Sequence, residues 1–143
     1  MCIRDSLQGS NFVDINNDGD VDIFACHDDA EARKWENNGN GTFTLNNNLI
    51  PTITVPSSDN SGNYASIWTD YDNDDDLDLY ISKCRGGVSD PTDPRRINML
   101  FQNNGNNNFT EVAGAAGLKI GDQTWSTDFA DIDNDGDLSL IHI

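Results

Sequence analysis

Two stretches of the chain alternate side chains with a period of two. Val21, Ile23 and Ala25 alternate with Asp22, Phe24 and Cys26, and Leu77, Leu79 and Ile81 alternate with Asp78, Tyr80 and Ser82. Shorter runs at Asn11–Val13, Ser66–Thr69 and Thr127–Ala130 each carry an aromatic at the same offset, Phe12, Trp68 and Phe129. A period of two built from β-branched and aromatic residues predicts strands. Further along, Trp35–Thr44 matches Leu100–Thr110, with an Asn-Gly-rich spacer between apolar runs in both. Asn and Gly accept positive φ at little cost, so these spacers predict hairpin turns. The unit therefore reads strand, polar loop, strand, longer connection, strand, turn, strand.

The polar loop recurs. Its copies start at Asp14, Asp70 and Asp131, 56 and then 61 residues apart. A fixed acidic marker at that period indicates one structural unit repeated along the chain. Four antiparallel strands in roughly 55–60 residues is the size of a propeller blade. The expected fold is all-β: consecutive four-stranded antiparallel blades of a β-propeller, incomplete. Residues 7–60 form a first blade with its loop at 14–22, and residues 61–118 a second with its loop at 70–78. Residues 119–137 begin a third blade whose loop is cut short.

Charge sharpens this picture. The formal net charge is -17, from 25 acidic against 8 basic residues, and fourteen of the acids lie in the three loops. The acidity is thus local, and between the loops the chain is apolar enough to fold. It argues against nucleic acid as a partner, which needs clustered Lys and Arg to neutralise phosphates. No hydrophobic run reaches the roughly 20 residues that span a bilayer.

Each loop places oxygen-bearing residues at positions 1, 3, 5 and 9, a pattern suited to a hard cation such as Ca²⁺, which takes six to eight oxygens. In the first loop Asp14, Asn16, Asp18 and Asp22 are the expected side-chain ligands, with Asp20 at position 7 giving its backbone carbonyl. The second uses Asp70, Asp72, Asp74 and Asp78, with the Asp76 carbonyl. The third retains Asp131, Asp133 and Asp135, with the Asp137 carbonyl, while Ser139 stands at position 9. Two like charges 4 Å apart repel by roughly 4 kcal/mol at an effective dielectric of 20. Ordered loops of this composition therefore call for a cation, and many ligands favour Ca²⁺ over Mg²⁺. These are not EF-hands: position 12 holds Ala25 or Ile81 in place of a bidentate Glu, and the flanks are strands.

The two ends of the chain have a shared peculiarity. Met1–Ser6 can be written ATG TGT ATA AGA GAC AGC, and the reverse complement of its first 17 or so nucleotides, CTG TCT CTT ATA CAC AT, reads as Leu138–Ile143. The element resembles the transposon end used to fragment DNA for sequencing. The expectation is that residues 1–6 and 138–143 are adapter-derived and that the natural protein continues in both directions.

Taken together, the acidic loops followed by Leu77–Tyr80-type strands, and the Asn-Gly turns followed by Phe109–Val112, resemble the FG-GAP or VCBS repeat proteins. The resemblance covers nearly all of residues 7–137. It implies an integrin-α-type propeller of about seven blades, of which this chain holds about two, joined to further blades of the same chain. It also implies Ca²⁺ in the blade loops and a secreted or cell-surface location. The function it implies is a binding, adhesion or scaffolding module for an extracellular protein or glycan. An alternative is an accessory or catalytic propeller of a secreted carbohydrate-active enzyme. The chain departs from the family pattern at Asp75, where Gly is usual; Asp enters the left-handed region less comfortably than Gly.

Other residues add little chemistry. The chain has no nucleophile elbow, phosphate loop, zinc spacing or Ser/Cys–His–carboxylate constellation, so no catalytic residue is assigned. Trp35, Trp68 and Trp125 are expected to pack between blades. Cys26 and Cys84 are read as a disulfide or as buried free thiols. His27 is expected at the surface, and Arg95 and Arg96 against nearby Asp residues. The Gly- and Pro-containing connection at 84–96 reads as a surface loop or a ligand-contacting one. Residues 113–118 have the composition of a short helical turn.

Overall fold

The computed structural model describes residues 7–50, 61–105 and 108–142; the expectation for residues 1–6 lies outside these. Strands β1 (Leu7–Val13), β2 (Asp22–His27), β3 (Arg33–Asn37) and β4 (Phe43–Leu45) form one antiparallel sheet in that order. Strands β5 (Asn63–Thr69), β6 (Asp78–Lys83), β7 (Met99–Asn103) and β8 (Phe109–Glu111) form a second with the same order. Strands β9 (Thr127–Ala130) and β10 (Ser139–His142) pair as the start of a third. No helix is present among the described residues, and residues 113–118 form a single hydrogen-bonded turn.

Register explains why the pattern works. In the first sheet Phe12 faces Ile23, Ile23 faces Trp35, and Trp35 faces Leu45. In the second, Trp68 faces Leu79, Leu79 faces Phe101, and Phe101 faces Glu111. Phe129 faces Leu140 in the third. Directly opposed residues share a face, so each sheet presents one such row to one side. Phe24 and Cys26, or Tyr80 and Ser82, point to the other side. That is why Phe24 and Tyr80, polar in parity but apolar in kind, belong to the strands: a blade is covered on both faces.

The two resulting layers of core lie between sheets. One holds Val13, Ile15, Phe24 and Cys26 of the first blade against Leu79, Ile81, Met99 and Phe101 of the second, with Trp68 and Phe109 at its margin. The other holds Tyr80, Leu100 and Ala113 against Phe129 and Leu140. Fully burying side chains of this size contributes roughly 1.5–3 kcal/mol each, so blade-to-blade contact is a main source of stability. Aromatic edges repeat across both seams. Trp68 meets Phe24 with ring centroids 5.7 Å apart at 80°, and Phe129 meets Tyr80 at 5.7 Å and 85°.

Polar contacts stitch the first seam. Arg85, in the second blade's connection, donates to the Asp28 carbonyl at 2.9 Å and pairs with the Asp28 and Asp29 carboxylates. Gly62 donates its N–H to the Asp28 carbonyl at 2.7 Å and accepts the Cys84 N–H at 2.9 Å. Cys26 and Cys84 are both buried free thiols. Burial pushes the Cys26 thiol up to about 12.

Of the three tryptophans, Trp68 packs between blades. Trp35 lines a groove on the outer face of the first blade, and Trp125 leans on Tyr64 at 5.3 Å while staying largely exposed. Arg95 makes the expected pair with Asp93 at 2.6 Å, whereas Arg96 donates to the Ser89 carbonyl at 2.8 Å. The 84–96 connection is an organised loop. Its Asp90 caps Thr92, and Gln123 reaches the Val88 carbonyl.

Candidate metal centres

The three acidic loops fold alike because their own backbone is tied to their own carboxylates. The position 1 carboxylate accepts two amides in each copy. Asp14 takes Asp18 at 3.1 Å and Gly19 at 2.9 Å. Asp70 takes Asp74 at 3.0 Å and Asp75 at 2.9 Å. Asp131 takes Asp135 at 3.2 Å and Gly136 at 3.0 Å. The position 5 carboxylate accepts the amide of position 7: Asp18 from Asp20, Asp74 from Asp76, Asp135 from Asp137, at 2.8–3.0 Å.

These bonds require two left-handed residues per loop. Position 4 is Asn17, Asn73 or Asn134, with φ of 55°, 59° and 57°. Position 6 is Gly19 or Gly136, with φ of 90° and 94°, and Asp75 adopts 71° at the equivalent place. Asp75 therefore takes the left-handed conformation that glycine holds in the other two loops, and the second loop keeps its shape.

Position 9 has a different job. Asp22 and Asp78 are fully buried and open strands β2 and β6. Asp22 accepts the Ile15 amide at 3.1 Å and the Asn37 amide at 2.8 Å. Asp78 accepts Tyr71 at 2.9 Å and Asn103 at 2.8 Å. Each thus joins its loop to the third strand of its blade. Burial pushes the Asp78 carboxyl up to about 6, with Asp72 and Asp74 adding like-charge repulsion and the two amide bonds opposing both. Asp22 is raised for the same leading reason.

Among the described residues, acidic side chains converge in two groups. Asp70, Asp72 and Asp78 bring ligand oxygens within 4.8 Å of one another, as do Asp131, Asp133 and Asp135. In the first loop position 3 is an amide: Asn16 donates to Asp18 at 2.9 Å, and its oxygen accepts the Asp18 amide. Asp74 lies outside the second group and turns to its own loop. The Asp20 and Asp76 side chains lie over the Asn-Gly turns, beside Gly39 and Gly105. Ser139 begins β10, opposite Ala130.

Three participants escaped sequence reasoning. Gln102 donates to the Asp72 carboxylate at 2.5 Å, reaching across from β7. Asn37 and Asn103 serve the position 9 carboxylates with their backbone amides. The readable signal was the shared place of these two Asn residues ahead of the Asn-Gly turn, which the turn itself masked.

The donor set fits a hard cation. Carboxylates are acceptor-only when ionised, and no Lys or Arg among the described residues pairs with a loop carboxylate. A family model for the FG-GAP-like repeat matches residues 14–81 and 88–142. The chain belongs to the FG-GAP-like repeat family. The first matched stretch includes the loops at 14–22 and 70–78 and the second the loop at 131–137, and the two four-stranded sheets are propeller-type blades. No curated protein matches this FG-GAP-like chain.

Proposed function

We propose that the chain is a calcium-stabilised segment of a secreted or cell-surface propeller that binds or scaffolds extracellular protein or glycan. The observation that carries the calcium reading is the threefold recurrence of one loop geometry, with converged oxygens at Asp70, Asp72 and Asp78 and at Asp131, Asp133 and Asp135. Asp70, Asp72 and Asp78 would hold the ion in the second blade, and Asp131, Asp133 and Asp135 in the third. In the first blade Asp14, Asn16, Asp18 and Asp22 supply the corresponding donors. A bound ion neutralises the loop. Because Asp22 and Asp78 also hold the third strand, ordering the loop orders the blade.

The extracellular location and the binding role rest on the family, and the 84–96 connection, held by its own polar bonds, is the loop best placed to contact a ligand. The metal test is thermal unfolding with calorimetry. A site with a Kd near 10⁻⁴ M is stabilised by roughly 1.4 kcal/mol at about 1 mM Ca²⁺, so Ca²⁺ raises the melting temperature and EDTA lowers it. An unchanged melt with no calorimetric heat refutes the reading. A glycan and matrix-protein array probes the partner class.

A further inference from the structure

Five glycines of this chain follow Asn or Asp: Gly19, Gly39, Gly41, Gly105 and Gly136. Such a pair is the easiest place for a backbone to attack its own side chain. Glycine has no Cβ to block the approach, so its amide nitrogen can reach the preceding side-chain carbonyl carbon. In four of the five pairs the structure ties that nitrogen up. The Gly19 and Gly136 amides donate to Asp14 and Asp131 at 2.9 and 3.0 Å. The Gly39 and Gly105 amides donate to the Asn37 and Asn103 side-chain oxygens, both at 3.1 Å. The Asn of each of these last two pairs is anchored as well. Asn38 donates to the Thr42 hydroxyl at 2.9 Å and accepts from the Thr44 hydroxyl at 3.1 Å. Asn104 donates to the Asn108 carbonyl and the Thr110 hydroxyl.

Asn40–Gly41 is the exception. Both residues are exposed, Gly41 has φ of +83° with open space where a Cβ would stand, and its amide has no acceptor among the described residues. The Asn40 side chain is held by its oxygen alone: Oδ1 accepts the Thr42 amide at 3.1 Å and the Thr42 hydroxyl at 2.6 Å. Its nitrogen makes no bond among the described residues. Two donors on a carbonyl oxygen, a free nucleophile and an unanchored leaving group are the arrangement that acyl transfer needs.

We infer that Asn40 is a self-modification site, deamidating through a cyclic imide in the folded protein while the fold protects Asn38 and Asn104. The Gly41 nitrogen gives its proton to solvent hydroxide and bonds to Asn40 Cγ. Negative charge gathers on Oδ1, where the two Thr42 donors face it. The Cγ–Nδ2 bond then breaks, and the side-chain nitrogen leaves as ammonia with a proton from water. Water opens the succinimide at Cγ to give Asp, or at the Asn40 main-chain carbonyl to give isoaspartate. The sum is Asn plus water to a carboxylic acid plus ammonia, with nothing oxidised or reduced. The product sets a new negative charge in a turn already touched by the Asp20 carboxylate, which lies against Gly39. The inference does not depend on the metal reading.

The test is peptide mapping by mass spectrometry of the 143-residue chain after storage in mildly alkaline buffer, native and in urea. Deamidation reads as a gain of one mass unit, and isoaspartate by enzymatic methylation. In the native chain Asn40 should convert at least about tenfold faster than Asn38 or Asn104, since several hydrogen bonds must break at those two first. In urea the three should fall within about threefold of one another. Asn37→Ala frees the Gly39 amide and should speed Asn38 by about fivefold, with Asn104 unchanged. Where Asn104 speeds too, the fold is lost and the parent's native-to-urea comparison decides. Thr42→Val keeps the amide donor, loses the hydroxyl, and should slow Asn40 by about fivefold in the native chain alone. Asn38 converting as fast as Asn40 in the native parent overturns the proposal, as does an Asn40 that stays intact while the urea sample converts. A native Thr42→Val rate at or above the parent's overturns the part given to Thr42.

Discussion

The backbone amide of Asn37 donates to the buried carboxylate of Asp22 at 2.8 Å, across fifteen residues of chain. The second blade repeats the bond between Asn103 and Asp78 at the same length. A residue at the end of the acidic loop is therefore also a structural bracket, with both oxygens engaged by main-chain donors. Its role in the fold precedes any ion.

Replacement of Asp78 should expose that double role. Asp78→Ala leaves the Tyr71 and Asn103 amides without their acceptor, and each unsatisfied buried donor costs about 1–3 kcal/mol. Urea denaturation in EDTA should show a loss of about 3 kcal/mol. Asp78→Asn keeps one acceptor oxygen and should lose about half as much. A variant as stable as the parent in EDTA would show that the bracket carries no weight.

Affinity should separate the loop residues that converge from those that do not. Asp72→Asn removes one of three converged charges and should weaken Ca²⁺ binding at the second loop by about tenfold, since ligand charge tunes such sites. Asp76→Asn alters a side chain that lies over Gly105 and should leave the affinity within about twofold. Isothermal titration of the two variants checks the contrast, and similar losses for both would contradict the assignment.

Gly62 should tolerate no side chain. Its φ is +76°, and an added Cβ would lie 2.3 Å from the Arg95 carbonyl oxygen, which is main chain and cannot swing away. Gly62→Ala should cost about 2–4 kcal/mol, in the range of single changes that strain a packed backbone. Gly86 has open space around it, and Gly86→Ala should fall within about 0.5 kcal/mol of the parent. Parallel thermal melts of the two variants suffice.

Lys34 occupies the register position of Leu100, fully buried, with its ammonium 2.7 Å from Glu31. Removing one member of such a pair strands the other, at about 3–5 kcal/mol, while replacing both by apolar or neutral groups is often nearly free. Lys34→Ala should therefore be far more damaging than Lys34→Met combined with Glu31→Gln, which should cost under about 1 kcal/mol. Burial pulls the Lys34 pKa down despite Glu31. The unfolded chain then binds more protons between the folded value and the ordinary 10.5, so this group adds stability as pH rises through that window. The double variant should lack that rise in denaturation followed from neutral to alkaline pH.

Strands, loop positions and hairpin turns were legible because each obeys a local rule. Alternation marks Ile23–Ala25 and Leu79–Ile81, and the turn chemistry of Asn and Gly marks the positive-φ sites at Gly39 and Gly105. Asp75 could be assigned from its neighbours in the loop. What resisted reading depends on contacts distant in the chain. Three tryptophans look equivalent in composition, yet only Trp68 stands in a closed seam, because seam membership is set by register against another blade. Lys34 in a core position contradicts its polarity and is explained by Glu31, three residues back. Gln102 meets Asp72 through the pleat, thirty residues apart.

Both complete sheets take their strands in chain order, each hydrogen-bonded to the one just made. Such pairings close short loops, and the entropy of closure rises only slowly with length. A blade can therefore form as soon as its fourth strand is available, without waiting for distant sequence. The seams come later, each newly made blade settling onto the last. Folding should proceed from the N-terminal end as the chain is synthesised, with the freshest blade always the least protected.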